Sequence, residues 1–175
     1  MGWVAFLRAI NLGPRNKVAM AELRAAFEGA GCTDVRTHLQ SGNVLFHARD
    51  RSPATLRRKL ERAVKESCGV ESTVVLRTWA ELRRVAASHP FGDDTSKSAV
   101  TFLAEKPTAA AARRLRELDA APDEAKLVGR GLYIHYPRGI QGSRLTGAMV
   151  EKTLGVAGTN RNWRTVARLA ELIDA

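Results

Sequence analysis

At 175 residues, with 45% hydrophobic and 26% charged content, the chain is long enough to bury a real core, as one large or two small domains. No apolar run approaches the roughly 18 residues that cross a bilayer, and Met1 to Leu12 lacks the basic start and small-residue cleavage site of a signal peptide. A cytoplasmic protein with no membrane partner is expected. The net charge of +10 favours a phosphate-bearing partner, but arginines outnumber lysines 21 to 7 and are spread along the chain, as a GC-biased genome alone would produce. Cys32 and Cys68 are too few and too far apart for a zinc site or a disulfide framework.

The first strand is predicted from Trp3 to Ile10, covered on both sides, with Val4, Phe6 and Ile10 on one face and Trp3, Ala5 and Leu7 on the other. Met20, Leu23, Phe27 and Ala30 recur at helical spacing, and Gly31 supplies a stop. Asp34 to Gln40 alternates as a half-buried edge strand, and Ser41-Gly42-Asn43 turns the chain into a central strand over Val44 to Ala48. Pro53 opens a helix with the apolar stripe Leu56, Leu60, Ala63, Val64 and Ser67/Cys68 and a basic outer face of Arg57, Arg58, Arg62 and Lys65. Thr73 to Arg77 completes a β-α-β-β-α-β order, the ferredoxin-like split pattern.

Thr78-Trp79-Ala80-Glu81 is a capping box that starts a helix ending near His89-Pro90. Phe91 to Lys97, with Gly92, Asp93 and Asp94, is the predicted boundary loop. Val100-Thr101-Phe102-Leu103 then echoes Val4-Ala5-Phe6-Leu7. A helix follows from Thr108 to Asp119, strands near 125–128 and 132–136 flank Gly129-Arg130-Gly131, and two helices close the chain over 143–154 and 160–173. The expected fold is α+β, a tandem duplication of two ferredoxin-like halves facing one another across a cleft. Residues 1–78 form the first half, 79–97 a linking helix and loop, and 98–175 the second half with C-terminal helices.

Two polar motifs stand out, Leu7-Arg8-Ala9-Ile10-Asn11-Leu12-Gly13 and Gln40-Ser41-Gly42-Asn43-Val44. In a sheet of order 4-1-3-2 the end of strand 1 and the strand 2–3 turn lie at one sheet end. The start of the first helix opens there too, with its unpaired N–H groups and partial positive charge. Arg8 and Lys17 add charge, Asn11, Gln40, Ser41 and Asn43 add directional hydrogen-bonding groups, and Gly13 and Gly42 allow close approach. The set suits an anionic oxygen cluster. The competing reading is a structural polar knot, because Ser-Gly-Asn is a good hairpin turn and Asn11 is able to brace a loop.

These residues resemble an uncharacterised bacterial family catalogued as domain of unknown function 1697. Its members open with a Leu-Arg-Gly-Ile-Asn-Val-Gly-type motif, continue to a lysine before the first helix, carry Gln-Ser-Gly-Asn-Val, and close with a Thr-x-Arg-Asn-Trp-x-Thr-Val-type helix start. The last is here Thr159-Asn160-Arg161-Asn162-Trp163-Arg164-Thr165-Val166. The resemblance spans nearly the whole chain and implies two ferredoxin-like halves, with no established activity. Ala9 stands where the family has Gly, and Pro14 replaces what is often a second Gly.

Arg161 and Asn162 are expected in the first helical turn after an N-cap at Thr159 or Asn160, where an arginine opposes the helix dipole and needs a carboxylate or ligand partner. Trp163 reads as core. An RNA-recognition sheet needs open aromatics, for which Phe6 and Phe46 are the only candidates. No histidine spacing suits a metal, and no nucleophile elbow or nucleotide-binding loop occurs. Asp93-Asp94 is a loop carboxylate pair, and Ser41 near His38 lacks an orienting acid. The leading reading is a binding module for a phosphate-bearing small molecule, a nucleotide or nucleic acid, at one site per chain, since Ala104 replaces Arg8 in the second half. The alternatives are an enzyme acting on an anionic metabolite and a polar knot in a protein that binds another protein. No cofactor and no oligomeric state follow.

Overall fold

The computed structural model describes residues 1–92 and 94–174. Those residues fall into two compact units, one of residues 1–83 with 172–174 and one of residues 84–171.

In the first unit β1 (Gly2–Leu7), α1 (Met20–Gly29), β2 (Thr33–His38), β3 (Asn43–His47), α2 (Pro53–Cys68) and β4 (Val74–Thr78) build a sheet of order β2-β3-β1-β4, followed by α3 (Trp79–Ala86). All its pairings are antiparallel, and Phe6 lies opposite Asn43. Trp3, Ala5 and Leu7 face the helices and pack with Leu23 and Phe27 of α1 and Leu56, Leu60 and Val64 of α2. The rings of Phe27 and Phe46 meet edge to face at 5.2 Å. On the opposite face Val4, Phe6, Leu45 and Val75 are also buried, as a strand apolar on both parities requires.

The first strand is shorter than predicted. Arg8 N still donates to Thr73 O at 3.0 Å, but a φ of +55° at Ala9 ends the extended run. Ile10 therefore loses the parity of Val4 and Phe6 and joins the helix-side cluster. The capping box at the start of α3 is present: Thr78 N donates to Glu81 Oε2 at 2.7 Å and Glu81 N to Thr78 Oγ1 at 3.2 Å. That helix stops at Ala86, before His89-Pro90.

The second unit contains β5 (Ser98–Leu103), α4 (Ala109–Glu117), β6 (Glu124–Val128), β7 (Gly131–His135), α5 (Gly147–Leu154) and β8 (Gly158–Asn162), with α6 (Trp163–Asp174) after them. Its sheet has the order β6-β7-β5-β8, the first order repeated four strands later. The repetition extends to single bonds. Leu7 N donates to Gly42 O, and Leu103 N to Arg130 O; Arg8 N donates to Thr73 O, and Ala104 N to Ala157 O. Arg77 faces Val4 across its ladder as Arg161 faces Val100.

Two boundaries in this unit differ from expectation. The helix predicted from Ser143 begins at Gly147, capped by Thr146 Oγ1, which accepts from Met149 N at 3.2 Å. The helix predicted from Asn160 is a strand as far as Asn162. Gly and Asn are poor strand formers, so Gly158-Thr159-Asn160-Arg161-Asn162 carries no strand pattern. Its ladder to β5 and the bond from Asn160 Nδ2 to Thr101 Oγ1 at 3.0 Å hold it in place. The cap of α6 is Asn162, not Thr159 or Asn160: its Oδ1 accepts from Thr165 N at 2.8 Å.

Both thiols are free. Cys32 lies in the first core, where burial pushes its pKa up to about 11, with Lys59 opposing. At pH 8 roughly one molecule in a thousand then carries the Cys32 thiolate. Native iodoacetamide labelling of Cys32, followed by peptide mass spectrometry, is expected to rise about tenfold per pH unit between 8 and 10. A flat rate over that range would show that the thiol is not held in its apolar site.

Candidate functional site

The polar motifs meet where the chain leaves β1. Among the described residues five non-glycine positions have positive φ, and three of them, Ala9 (55°), Asn11 (52°) and Asn16 (52°), lie in the loop between β1 and α1. Such conformations cost of order 1–3 kcal/mol each, less for asparagine, and persist only when the surroundings enforce them.

Asn11 does most of that. Its Nδ2 donates to Val18 O at 3.0 Å and to Gln40 O at 2.7 Å, while its Oδ1 accepts from Val18 N at 2.9 Å. Its backbone N donates to Asn16 O at 2.9 Å, and Asn16 Nδ2 returns a bond to Ala9 O at 3.2 Å. One carboxamide thus ties the exit of β1, the approach to α1 and the β2–β3 turn. Asn43 is fully buried, and its Nδ2 donates to His38 O and to Ser41 Oγ, both at 2.9 Å. Gly42, at φ +74°, sits so close to the sheet that a Cβ would lie 2.8 Å from Leu7 Cβ and from Ile10 Cδ1.

Asn11, Gln40, Ser41, Gly42 and Asn43 are therefore brought together, with the Asn11 and Asn43 carboxamides, the Ser41 hydroxyl and the Gln40 carbonyl turned on the fold and Gln40 itself exposed. Arg8 is exposed, and its carbonyl accepts from Ser72 Oγ at 2.8 Å. Gly13 and Lys17 are also exposed; no atom lies within 4 Å of where a Gly13 Cβ would stand. At the start of α1 the capping position is Ala19, whose side chain offers no hydrogen bond. Ser72 and Asn16 also belong to this cluster and are absent from the two motifs. Pro14-Arg15-Asn16 carried a usable signal, since Pro and Asn mark a turn.

Arg161 and Asn162 lie in the second unit and in a strand, not in a first helical turn. Arg161 therefore opposes no helix dipole. Its side chain is buried, donates from Nη1 to Thr159 Oγ1 at 2.7 Å and to Asn160 O at 2.8 Å, and burial lowers its pKa to about 10. It still carries full positive charge at neutral pH.

The remaining sequence candidates also find definite places. Phe6 and Phe46 are fully buried, which leaves no open aromatic pair for stacking bases. On α2, Arg57 pairs with Glu61 and Arg62 with Glu66, and Lys65 pairs with Glu71. Three of the four cations of that face are thus paired, and Arg58 makes no ion pair among the described residues. Trp163 packs against the rings of His89 and Tyr133. Asp93 lies outside the described residues. The Asp94 carboxylate accepts from Ser96 N and Oγ, and these bonds hold it below the usual carboxylate range. Among the described residues no cluster of histidine, cysteine and acidic side chains is arranged to hold a metal.

A family model described as "Protein of unknown function (DUF1697)" matches residues 1–133. No curated protein matches the chain. Among solved structures, the conserved bacterial protein SP0830 from Streptococcus pneumoniae is similar, with 21% identity and a TM-score of 0.75. The match covers 99% of this chain and 98% of that one, a likeness of fold.

Gly42→Ala is expected to cost about 2–4 kcal/mol in urea unfolding, combining positive φ with a close contact. Gly13→Ala, strained but unobstructed, should cost only about 1 kcal/mol. Ala9→Gly should stabilise by up to about 1 kcal/mol by relieving the left-handed backbone. Equal losses at Gly13 and Gly42 would contradict this geometry.

Proposed function

The chain belongs to the DUF1697 family of proteins of unknown function, and from the loop at the end of β1 we propose that it binds a phosphate-bearing ligand, a nucleotide or nucleic acid. One observation carries the reading: residues 8–19 expose Arg8, Arg15 and Lys17 on a backbone already locked by Asn11. Arg15 and Lys17 make no ion pair among the described residues, unlike the basic face of α2. The open backbone at Gly13 and the uncapped start of α1 add N–H groups and a partial positive charge suited to an anion.

In this reading Arg8, Arg15 and Lys17 hold the anion, while Asn11, Gln40, Ser41, Gly42 and Asn43 keep the loop in shape. Arg161 and Asn162 serve the fold of their own unit. We read each unit as ferredoxin-like and the chain as a tandem duplication, supported by the repeated strand order and register. Ala104 occupies the place of Arg8 in the repeat, so one site per chain is expected. Cytoplasmic residence fits the two free thiols.

A second reading, a purely structural knot, is favoured by the full engagement of the Asn11 carboxamide with backbone. A thermal-shift panel of phosphate, nucleotides, sugar phosphates and short RNA separates the two. A ligand at a hundredfold its Kd adds about 2.7 kcal/mol, which is roughly 5–10 °C for a chain of this size. A shift of that size in the wild type, abolished in a folded Arg8→Ala/Lys17→Ala protein, is expected. No shift with any ligand would leave the knot as the account of both motifs.

A further inference from the structure

The other end of the first sheet holds a second constellation. β2 and β3 pair regularly from His38 back to Arg36, but Thr33 stands opposite His47 while Arg36 stands opposite Leu45, so β2 contains one extra residue. This bulge includes Asp34, a non-glycine residue at φ +52°. Bulges re-aim side chains, and this one sets Asp34 Oδ2 3.2 Å from His47 Nδ1, at ion-pair distance though off the line of a hydrogen bond. The other constraint on the imidazole is Trp79, whose ring meets it edge to face at 4.5 Å. Trp79 is itself fixed, because its Nε1 donates to Trp3 O at 2.8 Å and its ring occupies the space a Gly2 Cβ would need.

The imidazole so held lines a cavity of about 660 Å³ with Thr33, Arg49 and Arg51. That volume is in the range of small-molecule sites. Neither arginine makes an ion pair among the described residues. Asp50, between them in sequence, pairs with Lys59 Nζ at 3.3 Å. Among the described residues no acidic residue lines the cavity; Asp34 stands behind it, against His47.

We propose that this cavity is an anion-binding site for a small phosphate or carboxylate compound, with Arg49 and Arg51 supplying charge and His47 a hydrogen bond whose direction Asp34 and Trp79 set. A carboxylate beside one ring nitrogen favours the tautomer protonated there, which leaves Nε2 as an acceptor for a hydroxyl of the ligand, while the arginines meet its anionic oxygens. Four residue steps of strand separate His47 from Asn43, about 14 Å at the rise of an extended chain, so this site is distinct from the Arg8–Lys17 loop.

The test is a titration of the full chain with pyrophosphate and, separately, citrate, followed by long-range ¹H–¹⁵N correlation of the histidine rings, with His47 assigned from His47→Asn. The site predicts saturable shifts of the His47 ring signals with at least one of the two. Arg49→Ala/Arg51→Ala should weaken that binding at least tenfold. Asp34→Asn should alter the His47 tautomer pattern and weaken binding a few-fold, with the other histidine signals in place as proof of folding. Arg8→Ala/Lys17→Ala should leave the His47 titration unchanged, whether or not the loop binds phosphate. Undisturbed His47 signals with both probes, or equal binding by the double arginine variant, would overturn the proposal.

Discussion

A chain that leaves a central strand and spends residues 8–19 before its next helix must find partners for the backbone groups it withdraws from the ladder. In this protein that demand falls on the Asn11 carboxamide. A glutamine would overreach and an aspartate would lose the donor, because the site needs one acceptor and two donors on a single short side chain. The consequences run outward: Val18 is anchored just before α1, Gln40 is anchored in the β2–β3 turn, and three left-handed residues become tolerable between β1 and α1. The exposed cations of the loop inherit their positions from this one side chain.

The two units show how the same topology is held with different chemistry. Backbone bonds at the ends of β1 and β5 correspond one to one, yet Gly42 is matched by Arg130 and Arg8 by Ala104. A buried arginine sits at the same register of β4 and β8, each donating to a backbone carbonyl within its own strand. Removing a guanidinium from water is expensive unless its donors are used. The shared position therefore marks a requirement of the architecture, whereas the basic loop belongs to the first unit alone.

Periodicity revealed most of this fold, because its strands and helices bury continuous apolar faces. Trp3 to Leu7 and Leu56 to Val64 could hardly be read otherwise. Legibility failed where polar residues do structural work. Thr159 to Asn162 look like the start of a helix, since Asn caps helices well, and one of them does; a strand made of such residues is stabilised only by its neighbour. The polar motifs were found as motifs, and their convergence followed from strand order. Which of their groups are spent on the fold was not legible, because Asn11 reaches Gln40 across 29 residues and Ser72 reaches Arg8 across 64. The bulge at Asp34 left no trace at all beyond an ordinary alternating strand.

The helix α6 begins in one compact unit and ends in the other: Leu172 to Asp174 belong with residues 1–83, where Asp174 Oδ1 accepts from Arg83 Nε at 2.9 Å. The second unit is consequently an insertion, bounded on both sides by chain that belongs to the first. No single cut separates the protein into two complete pieces, because a break at Arg84 strands the last residues of the first unit on the wrong fragment. The two units share a strand order, but only the first is assembled from two separated stretches of chain.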